Sequence, residues 1–170
     1  KATITPQSIP ALEGLVGLLK QNPSIAIELS SHCDYRGSDE YNMRLSQARA
    51  ESVVNYLITH GIEKGRVVAK GYGKSRPKVI TKKFAEMFPF LNAGDTLTVD
   101  YIKTFTPEQQ DSCNALNRRT EFSVLKTTYG LLDNQGNLDS DAAKKTENMP
   151  VEPRKEEDEK PVSDESTSGE

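Results

Sequence analysis

The sequence predicts an α/β fold, a small mixed β-sheet with helices packed on one face, followed by a disordered acidic tail. Three observations predict it. Helical and strand periods alternate through residue 126 in the order helix, strand, helix, strand, irregular insertion, helix, strand. A chain of 170 residues has room for one domain of about 120 to 130 ordered residues plus a tail, and for no second unit of any size. Charge is also unevenly spread: residues 141–170 hold ten acids and five bases, a net of −5 in a chain whose formal total is −3, which leaves +2 on residues 1–140.

The first element is an amphipathic helix over 8–22, where Ile9, Leu12, Val16 and Leu19 recur at spacings of three and four; Pro10 sits near its start and Pro23 stops it. SIAIELS then alternates as a half-buried strand over 25–31. Ser38 offers an N-cap hydroxyl, Asp39 and Glu40 suit the first turn, and the helix they open runs to His60 with Gly61 as its C-cap. RVVAKGYG, 66–73, is the second strand. Residues 82–105 mix aromatic residues with Pro89 and Gly94 and show no stable period, so an irregular insertion is expected there. Thr106, Pro107 and Glu108 start a short helix to 117, and RRTEFSVLK, 118–126, alternates as the third strand. The domain is expected over 1–130; from 131 the apolar period is lost, and 131–170 reads as a solvating or tethering tail.

One residue breaks the helical pattern. With Leu45 at zero and about 100° per residue, Tyr56 falls near 20°, Arg49 near 40°, Val53 near 80° and Leu57 near 120°. Arg49 therefore lies within the apolar stripe, where an unpaired guanidinium costs several kcal/mol. It either joins a structural ion pair or waits at a pocket floor for a ligand carboxylate. Asp34, in the loop feeding this helix, can pair with Arg49 directly, or the two can hold opposite ends of a zwitterion such as an amino acid headgroup. The helix N-terminus adds free backbone donors for an anion.

The run D-x-x-G-S-D-x-Y-N-x-x-L-S-x-x-R-A-x-S-V-x-x-Y-L-x-x-x-G-I, from Asp34 to Ile62, resembles the signature of the OmpA C-terminal-like peptidoglycan-binding domain. AKGYGKSRP at 69–77, NRRTEF at 117–122 and the first helix with its approach at 1–23 agree with it, so the resemblance covers 1–126 with one long interruption. It implies a grip on the diaminopimelate of the peptidoglycan stem peptide, with Asp34 taking the ammonium and Arg49 the carboxylate. Asn42 and Arg119 match positions that line or support that site, and Leu45 matches a core leucine.

Three features depart from the pattern. Cys33 stands where a small hydroxyl residue is usual; it either pairs with Cys113 or both remain buried thiols. The 82–105 insertion is longer than the usual connection. The chain also opens where the family's first strand would be ending, so one sheet edge is expected to be exposed.

Other chemistries lack support. The near-neutral folded part has no basic stripe interleaved with aromatics, which disfavours nucleic acid, and no run of 18 apolar residues spans a membrane. GKS at 73–75 lacks the glycine a phosphate loop needs, since Val68 stands there. His32, Cys33, His60 and Cys113 lack zinc spacing, Cys33 and His60 make a poor thiol pair, and Asp39 with Glu40 suits a helix start better than a glycosidase. The expectation is a non-catalytic module with no metal or cofactor, which ties an outer-membrane protein or lipoprotein to the wall from the periplasm. The opening KATITPQS reads as the middle of a longer protein, whose upstream part supplies the membrane attachment. The alternative is a protein-interaction scaffold in which the insertion and the acidic tail dock envelope or secretion-complex partners and wall binding is weak or lost.

Overall fold

The computed structural model describes residues 3–132, 135 and 137. Helix α1 spans Ile9–Gln21, strand β1 Ala26–His32, helix α2 Asp39–Thr59 and strand β2 Val67–Gly73. Short helices α3, Lys82–Met87, and α4, Val99–Ile102, lead to α5, Pro107–Asn117, and strand β3, Arg119–Lys126. The sheet order is β2-β1-β3, with β1 parallel to β2 and antiparallel to β3. No helix among the described residues is long and apolar enough to cross a membrane.

Alternation along β1 turns Ile27 and Leu29 toward the helices, where both are buried with Leu15, Leu19, Val54, Leu57 and Phe122. Arg66, 3% exposed, ties α1 to this layer: its Nε donates to Ile25 O at 2.9 Å and its Nη2 to Leu19 O and Asn22 O at 2.6 and 2.7 Å. The carbonyls that α1 leaves unpaired at its end are thereby satisfied by a cation, as the helix dipole favours.

Helix α2 lies unusually close to β2. A Cβ at Gly71 would stand 2.2 Å from Gln47 N and 2.6 Å from Gln47 Cα. Because Gly71 has none, the outer edge of β2 bonds to the helix side chains: Gly71 N donates to Gln47 Oε1 at 2.7 Å, Gly73 N to Ser46 Oγ at 2.9 Å, and Gln47 Nε2 donates to Ala69 O at 3.3 Å. Gly73 takes φ +56°, a conformation that suits glycine. The helix thus covers one sheet edge. Along the other, β3 has no strand beside it among the described residues, and Val124 and Leu125 are exposed.

The 82–105 segment is more ordered than its lack of period indicated. Thr81 and Thr98 cap α3 and α4 by accepting from Phe84 N and Tyr101 N. Ile80, Phe84, Leu91, Leu97 and Ile102 bury with Cys113 and Leu116 of α5, and Phe88, Phe90, Tyr101 and Phe105 pack around them. Helices of six and four residues are too short to register a period. Leu131, assigned to the tail by sequence, is buried, and Tyr129 N bonds Ser24 O at 2.8 Å. Apart from residues 131, 132, 135 and 137, the expected tail lies outside the described residues.

Gly71→Ala drives a methyl group into helix backbone rather than into a movable side chain. It is expected to cost about 3 kcal/mol or more. A urea midpoint unchanged from wild type would contradict the close approach.

Candidate functional site

The C-terminal end of β1 delivers His32, Cys33 and Asp34 to the loop before α2. Asn42, in the first turns of α2 and 4% exposed, braces this loop: its Nδ2 donates to Arg36 O at 2.9 Å, and its own carbonyl accepts from Cys33 Sγ at 3.5 Å. Asp34 is 7% exposed and held on both oxygens. Oδ1 accepts from Arg36 N at 2.9 Å and Arg36 Nε at 3.2 Å, and Oδ2 from Arg36 Nη2 at 2.8 Å and Arg118 Nη1 at 2.6 Å. Burial alone would raise its pKa, but the hydrogen bonds from Arg36 and Arg118 outweigh it and hold the carboxyl below the usual carboxylate range.

Arg49 lines a recess of about 50 Å³ with Ser31, His32, Arg118, Arg119 and Thr120, closed by residues 3–5. Three arginines thus line one small space, and no carboxylate lines it among the described residues. Arg118 joins this recess to Asp34, since the same side chain lines the one and bonds the other. Arg119 is the more committed neighbour: Nε pairs with Glu121, and Nη1 and Nη2 donate to Asn117 O and Arg76 O at 3.2 and 3.0 Å. An anion bonded to Arg49 and Arg118 beside a carboxylate is the arrangement that an amino acid headgroup needs.

The OmpA family profile matches residues 1–87, which is half of the chain and includes the whole Asp34–Ile62 motif. The chain belongs to the OmpA family. It is 38% identical over 77 residues to outer membrane protein P5 of Haemophilus influenzae and 40% identical over 78 residues to outer membrane porin F of Pseudomonas aeruginosa. Each alignment takes in 45% of this chain and 22% of the relative, so the chain spans about a fifth of those proteins. Among solved structures it is similar to the peptidoglycan-associated lipoprotein of Burkholderia pseudomallei, with a TM-score of 0.44 and 30% identity over 47% of this chain and 68% of that one.

In this OmpA-like site two alternatives left open by the sequence are decided, and one expectation, the place of Arg49 on its helix, is corrected. Asp34 pairs with Arg36 and Arg118, not with Arg49. Arg49 stands at the flank of the buried stripe rather than inside it: the buried line on α2 is Asn42, Ser46, Ala50, Val54 and Leu57, while Arg49, Leu45 and Tyr56 are half-buried. Cys33 and Cys113 are separate buried thiols, the first on the Asn42 carbonyl and the second inside the insertion's apolar cluster, where burial pushes its pKa up. Arg118 was missed. The N-R-R motif holds two arginines and the resemblance points to Arg119; the signal in favour of Arg118 is its place at the C-cap of α5, before the strand period begins.

His32, at the wall of the recess, gives a test of this arrangement. Burial first, then Arg119, Arg76 and Lys78, lower its pKa from 6.5 to about 4, against an opposite pull from Glu121. Between those values the unfolded chain binds the extra proton, so stability falls as pH is lowered through that window. Glu121, whose pKa is lowered from 4.5, adds its loss only below that value. The wild-type loss between pH 6.5 and about 4.5 is expected to be on the order of 2 kcal/mol. It should be much reduced in His32→Gln, as measured by urea denaturation; an equal loss in both chains would contradict the burial of a neutral His32.

Proposed function

We propose that this domain binds peptidoglycan non-covalently through the diaminopimelate of the stem peptide, and so anchors an outer-membrane protein or complex to the cell wall from the periplasm. The observation that carries the proposal is the pairing of the recess of Arg49 and Arg118 with the Asp34 carboxylate beside it. A diaminopimelate headgroup presents a carboxylate and an ammonium on one carbon, and the two protein charges match them. Family membership supports this, because OmpA-like domains associate with peptidoglycan and anchor to the wall. The upstream part of a longer protein would supply the outer-membrane attachment.

In this mechanism the ligand carboxylate takes the fork of Arg49, with Arg118 reinforcing it, and the ammonium replaces Arg36 on Asp34. Arg36 suits that exchange: its side chain is 55% exposed, so its release into water costs little. Asn42 holds the loop and Arg119 the strand end, and both act by positioning. No bond is made or broken, so the domain works as a binding module without catalysis. Several charge-assisted bonds in a partly dry recess are consistent with micromolar affinity, about 8 kcal/mol.

Arg49→Ala is expected to abolish co-sedimentation with diaminopimelate-type peptidoglycan while leaving the folded spectrum intact, since its side chain is only half-buried. Binding retained by the folded variant would contradict the mechanism. Calorimetric titration separates this proposal from the scaffold alternative: a wall-binder gives more heat with free diaminopimelate than with lysine, whereas a scaffold gives none with either.

A further inference from the structure

The sheet face turned away from α1 and α2 carries a second cavity. Alternation places Glu28, Ser30 and His32 of β1, Tyr72 of β2, and Arg119 and Glu121 of β3 on that face, and residues 76–81 supply the remaining wall. The cavity measures about 450 Å³, within the range of roughly 300 to 1,000 Å³ for small-molecule sites. A sheet face without helices is ordinarily well solvated. Here, however, His32, Arg119 and Lys78 are only 3, 7 and 8% exposed.

Most of the charge around this cavity is already engaged. The Tyr72 hydroxyl donates to Glu28, Arg119 pairs with Glu121, and Lys78 Nζ lies 4.2 Å over the Phe84 ring. Arg76 differs. Its guanidinium sits over the Tyr72 ring, Cζ 3.8 Å from the centroid, and that ring in turn stacks on His32 at 5.4 Å. Among the described residues Arg76 forms no ion pair with a carboxylate. A guanidinium held by its face keeps the donors in its plane for a partner. His32, which lines this cavity and the Arg49 recess alike, also has Nδ1 buried without a hydrogen-bond partner among the described residues, and a buried polar atom left so is the kind a bound group satisfies.

We infer that this cavity is a second ligand site, distinct from the Arg49 recess, and that it takes a small carboxylate-bearing molecule with Arg76 forked onto the carboxylate. Among the described residues three cations, Arg76, Lys78 and Arg119, and two carboxylates, Glu28 and Glu121, line it, so that lining carries a surplus of one positive charge. Burial is the main cause of the lowered pKa of His32, and Arg119, Arg76 and Lys78 add to it against Glu121. A planar monoanion matches the fork with two parallel bonds, whereas a phosphate dianion meets stronger repulsion from the two glutamates. His32 and Arg119, paired across β1 and β3, line both cavities and separate them, so the two sites stand back to back at one rung of the sheet.

The test is an NMR titration of the full 170-residue chain with N-acetylglycine, with N-acetylglycinamide as the neutral control and methyl phosphate as the tetrahedral anion. Saturable shifts are expected at residues 28–32, 76–81 and 119–123 with N-acetylglycine, none with the amide, and weaker ones with methyl phosphate. Arg76→Gln should weaken binding about tenfold. Arg76→Lys, which keeps the charge and loses the fork, should weaken it several-fold, and Arg49→Gln should leave it unchanged. No saturable shift, an equal response to the amide, or tighter binding of methyl phosphate would overturn the inference. So would a response that Arg49→Gln removes and Arg76→Gln spares. Loss of peptidoglycan binding in Arg49→Ala would not bear on it, so the two sites fail or stand separately.

Discussion

The contact of α2 with β2 across Gly71 is the constraint on which the rest of the molecule depends. A helix backbone can come this near a strand only where the strand has no Cβ and the helix turns small residues toward it, here Ser46 and Ala50. The approach lets Ser46 and Gln47 bond the free edge of β2, so the helix does the work of a neighbouring strand. It also fixes the rotation of α2. With Ser46 and Ala50 turned to the sheet, Asn42 falls under the loop of Asp34, and Arg49 falls at the helix flank where the recess opens.

The charges at that end of the sheet form one connected system rather than a set of pairs. Arg118 reaches Asp34 and the Arg49 recess, while Arg119 binds Glu121 and the Arg76 carbonyl. Asp34 is satisfied in this state by two arginines, which removes the cost of a buried carboxylate standing alone. The more exposed of those partners, Arg36, is the one that can yield its place without opening the core. In the proposed mechanism an ammonium takes that place by exchange.

Much of the fold was legible because chemistry marks its punctuation. Pro23, Gly61 and the Thr106-Pro107 pair set boundaries that the structure matches to within a residue or two, and Thr106 with Gln109 forms a full capping box. The rotation of α2 was not legible. A wheel centred on large apolar residues is drawn toward Leu45 and Tyr56, whereas close packing against a glycine strand selects small ones. The insertion hid its order for a different reason: its core joins Ile80 to Cys113 and Leu116 across more than thirty residues, and local periodicity carries no record of such contacts. Its caps, Thr81 and Thr98, were the available signal. At the candidate site the motif supplied Asp34, Arg49, Asn42 and Arg119, but which arginine of N-R-R bridges acid and recess is a matter of where α5 ends and β3 begins.

A crystal structure of the domain with diaminopimelate tests the central claim most directly. The account predicts a ligand carboxylate within about 3 Å of the Arg49 guanidinium and its ammonium within about 3 Å of Asp34, with Arg36 displaced into solvent. Ligand bound elsewhere, or bound while Arg36 still closes Asp34, would contradict it.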